Sequence, residues 1–191
     1  FAHQAGVFLA TFCGEMAKTS GIPPRVLEAL IGGLQSSVLR VRRACLDGLG
    51  KLALPREQFV ATGLWIVCHD VDDTVKAQAL ELWQAQGFEG FSHTIAPFYG
   101  PLGSVHGVVR KATAGALASI LAEQQGEIAD VTQSVIAQYH EAMIIPEPEL
   151  DRLGNVVGEA WADPWFVRAG LASLLDTIAP LVDNEVVPSI F

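Results

Sequence analysis

The sequence is short of the residues that usually announce a chemistry. It has three cysteines, Cys13, Cys45 and Cys68, an odd number with no Cys-x-x-Cys spacing. Both facts fit small buried side chains in a reducing compartment, the cytoplasm, rather than a disulfide framework. Only 12 Lys and Arg stand against 21 Asp and Glu, for a formal net charge of -9. That argues against broad contact with phosphate backbone, which is usually made by a basic face. No apolar run reaches the length needed to cross a membrane, so no membrane partner is expected. Gly and Pro are spread along the chain, so no segment reads as disordered.

Catalytic and metal-binding signatures are equally scarce. There is no Gly-x-Ser-x-Gly elbow, and no thiol stands near a His in a recognisable motif. His140-Glu141 is not a His-Glu-x-x-His zinc site, because Ile144 occupies the second His position. Gly100 to Gly107 is Gly-rich but lacks the Lys-Ser/Thr ending of a phosphate loop, and reads as an inter-helix connection. His69, Asp70, Asp72 and Asp73 bring hard and imidazole ligands together without the Gly and Glu spacing of a calcium loop. They read as an acidic turn between helices. No cofactor or metal is expected, and an enzyme would need a site assembled from distant positions.

What the chain does have is a repeat. Val41-Arg42-Arg43-Ala44-Cys45, Val75-Lys76-Ala77-Gln78-Ala79, Val109-Arg110-Lys111-Ala112-Thr113 and Val167-Arg168-Ala169-Gly170-Leu171 each open on an aliphatic residue and a cation. Each then continues as an apolar helical stripe. Arg42 to Lys76 is 34 residues, Lys76 to Arg110 is again 34, and Arg110 to Arg168 is 58. A fixed period in this range is the signature of stacked helical units, no one of which can bury its apolar face alone.

The spacing predicts an all-α superhelix running through the whole chain as a single array. A partial unit covers 1–20, with Val7, Phe8, Phe12 and Met16 on one face. Full units cover about 22–54, 56–87, 91–125 and 127–180. The last carries an insert at 144–164, with a short helical segment built on Leu150, Leu153, Val156 and Val157. A further unit starts at 184–191. The first helix of the third unit is expected around Phe91 to Tyr99, against the interruption of Pro97 and Pro101. Gly87 is placed to cap the helix before it. The chain begins at Phe1 and stops inside the apolar run Val186 to Phe191, so the expectation is a piece excised from a longer protein.

The cation that opens each stripe has a structural reading. Asp70 lies six residues before Lys76, and Asp163 five before Arg168. A carboxylate at a helix start accepts free backbone N–H bonds, and the cation one turn later meets a carboxylate of its own or the adjacent unit. Asp70, Lys76, Arg110, Asp163 and Arg168 would form a ladder that fixes how units stack. Ser36 and Ser104 stand six before Arg42 and Arg110 and supply no charge. Arg40, Arg42, Arg43 and Lys51 are the main basic concentration, the place to look for ribosomal RNA or an acidic protein. The competing reading is a stacking ladder with solvated helix ends. Trp161 and Trp165 flank a turn, as an anchor or as a seal over the insert.

Paired helices with this junction resemble HEAT (armadillo-type) repeats. Two stretches carry the likeness further: Leu64-Trp65-Ile66-Val67-Cys68-His69-Asp70-Val71-Asp72 with Ala79 to Trp83, and Tyr139-His140-Glu141 through Pro146-Glu147-Pro148, Leu150 to Gly154 and Trp165 to Ala172. They resemble the general-control translational activators, very large ribosome-associated HEAT-repeat proteins. The likeness covers about residues 56 to 191. It implies a non-catalytic scaffold that works with ribosomes and translation-associated proteins. It also implies a part in activating the kinase that phosphorylates the alpha subunit of initiation factor two during amino-acid starvation or ribosome stalling. The kinase and an ATP-binding-cassette partner are expected on other regions of the full chain. A HEAT scaffold of another pathway, such as a transport receptor or phosphatase scaffold, stays open, as does an enzyme with a cryptic site.

Overall fold

Apolar residues three and four apart put one wet and one dry side on each segment, and the helices form where that pattern lies. The computed structural model describes residues 11–15, 22–146, 151–153, 155, 157 and 162–182. Every regular element among them is helical. After a helical stretch at 11–15 come α1 (Pro24–Gly33), α2 (Leu39–Leu49), α3 (Gln58–Val67) and α4 (Asp73–Ala85). A 3-10 turn at Ala96–Phe98 leads into α5 (Tyr99–Leu102), followed by α6 (Gly107–Glu123). Then come α7 (Ile128–Glu141) and α8 (Trp165–Ile178). The chain belongs to the all-α class and forms a solenoid segment.

Local chemistry sets the ends. Pro24 opens α1, where its missing N–H costs nothing. Asp72 caps α4, its carboxylate accepting from Thr74 N and Val75 N at 3.1 Å each. Gly87 ends α4 at φ 71°. It donates to Gln84 O, and Phe88 N donates to Trp83 O at 3.1 Å. The Phe88 and Trp83 rings then meet at 5.0 Å, which completes a Schellman cap with its apolar contact.

The helices pair as α1 with α2, α3 with α4, α5 with α6 and α7 with α8. Between the first two pairs the stacking is regular: α1 packs on α3 and α2 on α4. Gln86 ties the same step, donating to Leu52 O at 2.9 Å and accepting from Leu54 N at 3.0 Å. The next step differs, because α6 packs on α3. Residues 91–94 carry no helix, and the expected helix over Phe91 to Tyr99 is displaced to 96–102. Pro97 fits only in a first turn, so helical structure begins beside it and runs out within two turns. The most extensive contact joins α6 to α8. Beside it Gly170 lets α8 close up on the end of α5: a Cβ on it would lie 1.9 Å from Leu102 O.

Two apolar cores result. One gathers residues from Cys13 to Phe88, and the other holds Ile66 and residues from Phe98 to Ile178. Trp65 packs against both. Within the insert, residues 151–153, 155 and 157 are described and are not helical. Leu150, Val156 and Trp161 lie outside the described residues, as do most of the partial unit at 1–20 and the start at 184–191.

Candidate partner-binding edge

The turns that join the two helices of the first three pairs lie 34 residues apart and are built alike. Ser36, Asp70 and Ser104 occupy one register. Each accepts, through its side-chain oxygen, the N–H two residues on: Val38 N at 3.1 Å, Asp72 N at 2.8 Å and His106 N at 3.2 Å. Arg42 and Arg110, six residues later, fold back over their own turns. Arg42 Nη1 donates to Ser36 O at 3.0 Å and Ser37 O at 3.4 Å. Arg110 Nη1 donates to Ser104 O at 2.8 Å and Val105 O at 3.1 Å.

The outer side of each guanidinium reaches the following pair. Arg42 Nη2 donates to Asp70 Oδ1 at 2.9 Å, and its Nε lies 2.7 Å from Oδ2 without being aimed along a hydrogen-bond line. Arg42 is 3% exposed and Asp70 7%. Arg110 finds no carboxylate there and instead lies over the Trp165 ring, 5.3 Å from its centroid. Arg168 grips Asp163 of its own turn through two bonds, at 2.6 and 2.9 Å, and also donates to Ala142 O at 3.0 Å. That pair holds the Asp163 carboxyl below, and the Arg168 guanidinium above, its ordinary pKa. Lys76 is exposed and has no partner among the described residues. Asp70 therefore serves Arg42 of the preceding pair, not the Lys76 of its own helix.

The basic concentration of α2 is divided by this arrangement. Arg42 is sealed inside the stack. Arg43 is exposed and bridges to the next turn, with Nη2 3.5 Å from Asp72 Oδ1 and bonded to Thr74 Oγ1. The Thr74 and Val75 contacts, with Arg43, depress the Asp72 pKa. Lys51 lies past the far end of α2, beside Cys13 and about 16 Å of helix from Arg40. Arg40 is exposed at the turn, with no partner among the described residues.

A wider pattern takes the place of that spot. Seven of the 12 Lys and Arg residues fall within the first five positions of a second helix: Arg40, Arg42, Arg43, Lys76, Arg110, Lys111 and Arg168. A helix N-terminus carries partial positive charge, so cations there are placed against the dipole. Buried carboxylates and carbonyls offset this for some of them. Arg40, Lys76 and Lys111 have no such compensation and point their charge at solvent. Lys111 stands two periods from Arg43 and was legible in that spacing. The same edge exposes Val38, Val71, Val105 and Trp165.

The acidic turn after α3 is structural. His69 Nδ1 donates to Trp65 O at 2.9 Å, and burial holds its pKa below the ordinary value. With Asp70 and Asp72 engaged as described, the His69 to Asp73 stretch does not converge on one point. Among the described residues no group of three His, Cys, Asp or Glu is placed to hold a metal ion. Burial pushes the Cys45 and Cys68 thiols up to about 11 and about 12, away from thiolate chemistry.

Comparison with known proteins decides the family. The model for the HEAT repeats of the stalled ribosome sensor GCN1 matches residues 51–191. The chain belongs to the GCN1 HEAT-repeat family. It is 29% identical to the mouse protein named stalled ribosome sensor GCN1 over 174 residues, 86% of the chain and 6% of that protein. The human protein of that name is 28% identical over 195 aligned positions, covering 96% of the chain and 7% of the relative. Protein ILITYHIA of Arabidopsis thaliana is 26% identical over 164 residues, 83% of the chain and 6% of the relative. The chain thus spans only a small fraction of the length of these curated relatives. No solved structure matches significantly. No helix among the described residues is long and apolar enough to cross a membrane.

Proposed function

We propose that this GCN1-family segment is a non-catalytic rod that helps seat a stalled-ribosome sensor on the ribosome through its edge of intra-pair turns. The observation that carries the reading is the row of uncompensated cations, Arg40, Lys76 and Lys111, set at helix N-termini of an otherwise acidic chain. Backbone N–H groups and basic side chains together favour phosphate, and a periodic row suits the backbone of ribosomal RNA better than a compact ligand. Arg42 and Asp70 tie the first turn to the second, and Arg168 with Asp163 closes its own turn. In the full protein, activation of the initiation factor two alpha kinase under starvation or stalling, and contact with an ATP-binding-cassette partner, fall to other segments. The setting is the cytoplasm.

Co-sedimentation of the full-length protein with ribosomes tests this. Replacing Arg40, Lys76 and Lys111 together by Glu is expected to weaken association. Neutralising them as Gln should reduce the slope of log affinity against log salt by about 2 to 3, at roughly 0.7–0.9 per lost phosphate contact. Unchanged affinity and slope would remove this edge from the ribosome interface.

A further inference from the structure

The irregular step between the second and third pairs leaves an opening on the opposite edge of the rod. Residues 91–94 run without helix, so the last turn of α6 is not covered as a regular first helix would cover it. The result is a cleft of about 300 Å³ lined by Trp65, Trp83, Phe91, His93, Glu123 and Gln124, among others. Its size matches the lower end of sites that enclose a small ligand or one long side chain.

The walls are aromatic and the mouth is acidic. His93 stacks on Trp83, with centroids 5.5 Å apart and planes 20° apart, and packs beside Trp65 and Phe91 at 5.2 and 5.4 Å. Burial among these rings, with His69 nearby, lowers the His93 pKa to about 4, so the imidazole is neutral near pH 7. Glu123 is exposed and has no ion-pair partner among the described residues. No Lys or Arg lines the cleft. Glu89 and Glu127, both exposed, lie close to it in sequence, beside Gly90 and after Gln124.

We infer that this cleft receives an arginine side chain from a basic segment of a partner protein. Aromatic faces attract a cation, and a planar guanidinium stacks on them while its methylene stem lies along apolar wall. The Glu123 carboxylate at the rim accepts its N–H groups as a charge-assisted pair. Phosphate would be repelled by the same carboxylates, which separates this cleft from the basic edge on the other side. The inference therefore stands or falls independently of ribosome docking through Arg40, Lys76 and Lys111.

Titration of the 191-residue chain, followed by the ring resonances of His93 and the indole N–H of Trp83, tests it. The probes are the N-acetyl methylamides of arginine, lysine and leucine. The arginine probe should give saturable shifts at both reporters, with weaker binding by lysine and none by leucine. Glu123→Gln, an exposed change at a helix end, should weaken arginine binding about tenfold, the loss expected for one charge-assisted hydrogen bond. Leucine saturating as readily as arginine would make the cleft an apolar socket and overturn the inference. So would lysine binding as well as arginine, an unaffected Glu123→Gln variant, or the absence of any saturable shift.

Discussion

Arg42 and Asp70 illustrate how much a single residue does here beyond its type. The guanidinium is buried, folded over its own turn and closed by a carboxylate 28 positions away. Removing one partner leaves a buried charge with no answer, whereas replacing both by apolar groups removes the demand. Asp70→Ala is expected to destabilise the chain by about 3–5 kcal/mol in urea unfolding followed by helicity. The double change Arg42→Met with Asp70→Leu should recover most of that loss. If the double variant is as unstable as Asp70→Ala, the pair is holding something other than its own charges. The register of these residues was readable, because Ser36, Asp70 and Ser104 repeat every 34 positions. Their partners were not, since one spacing offers both Arg42 and Lys76 to Asp70 and only the stacking distance decides between them. The same ambiguity placed Arg42 in a basic patch when it belongs inside the stack.

At the scale of the element, the second helices were the most legible part of the chain. Each has a long apolar stripe, and α2, α4, α6 and α8 each begin two residues before the Val of their Val-cation opening. The first helix of the third pair was less so, because Pro97 and Pro101 leave room for only a short helix and the sequence does not say which side of Pro97 it takes. Close approach was half-readable: small residues mark it, but not every glycine has a neighbour. Gly170 and Gly115 separate the two cases. On Gly170 a new Cβ would run into the carbonyl group of Leu102, which is backbone and cannot swing aside. On Gly115 it would touch the His69 side chain at 3.5 Å, an ordinary contact. Alanine is preferred to glycine inside a helix by about 1 kcal/mol. Gly115→Ala should therefore raise the melting temperature slightly. Gly170→Ala should lower it, because an overpacked site costs roughly 1–3 kcal/mol, which opposes that gain. Equal effects from the two would mean that α8 can shift away from α5 at no cost.

For the whole molecule the repeat period foretold a stack but not its weak joint. A solenoid is stabilised by each unit and by the interface between neighbours, so its cooperativity is only as good as its poorest interface. The step from the second pair to the third is the candidate. There the second helices no longer carry the stacking, and contact passes through α3 against α6. Trp65 sits in that contact. It packs on both apolar cores, its ring lies 4.9 Å from Trp83, and its Nε1 donates to Ala116 O at 3.3 Å. The aromatic cleft beside it escaped sequence reading for the same reason the joint did: Trp65, Trp83, Phe91 and His93 belong to no common stripe and meet only because the third pair is short of a first helix. Trp65→Ala removes the side chain shared by the two cores, at a cost of about 3 kcal/mol if the gap stays open. The cost should fall on coupling rather than on either core alone. Hydrogen exchange read by mass spectrometry is expected to show residues 22–88 and 96–178 opening at separate urea concentrations in the variant and closer together in the parent. Trp65→Phe, which keeps a ring but loses the bond to Ala116, should lie between them. If both segments still open together in Trp65→Ala, the interface is held elsewhere along α3 and α6, and Trp65 is one wall of the cleft rather than the link between the cores.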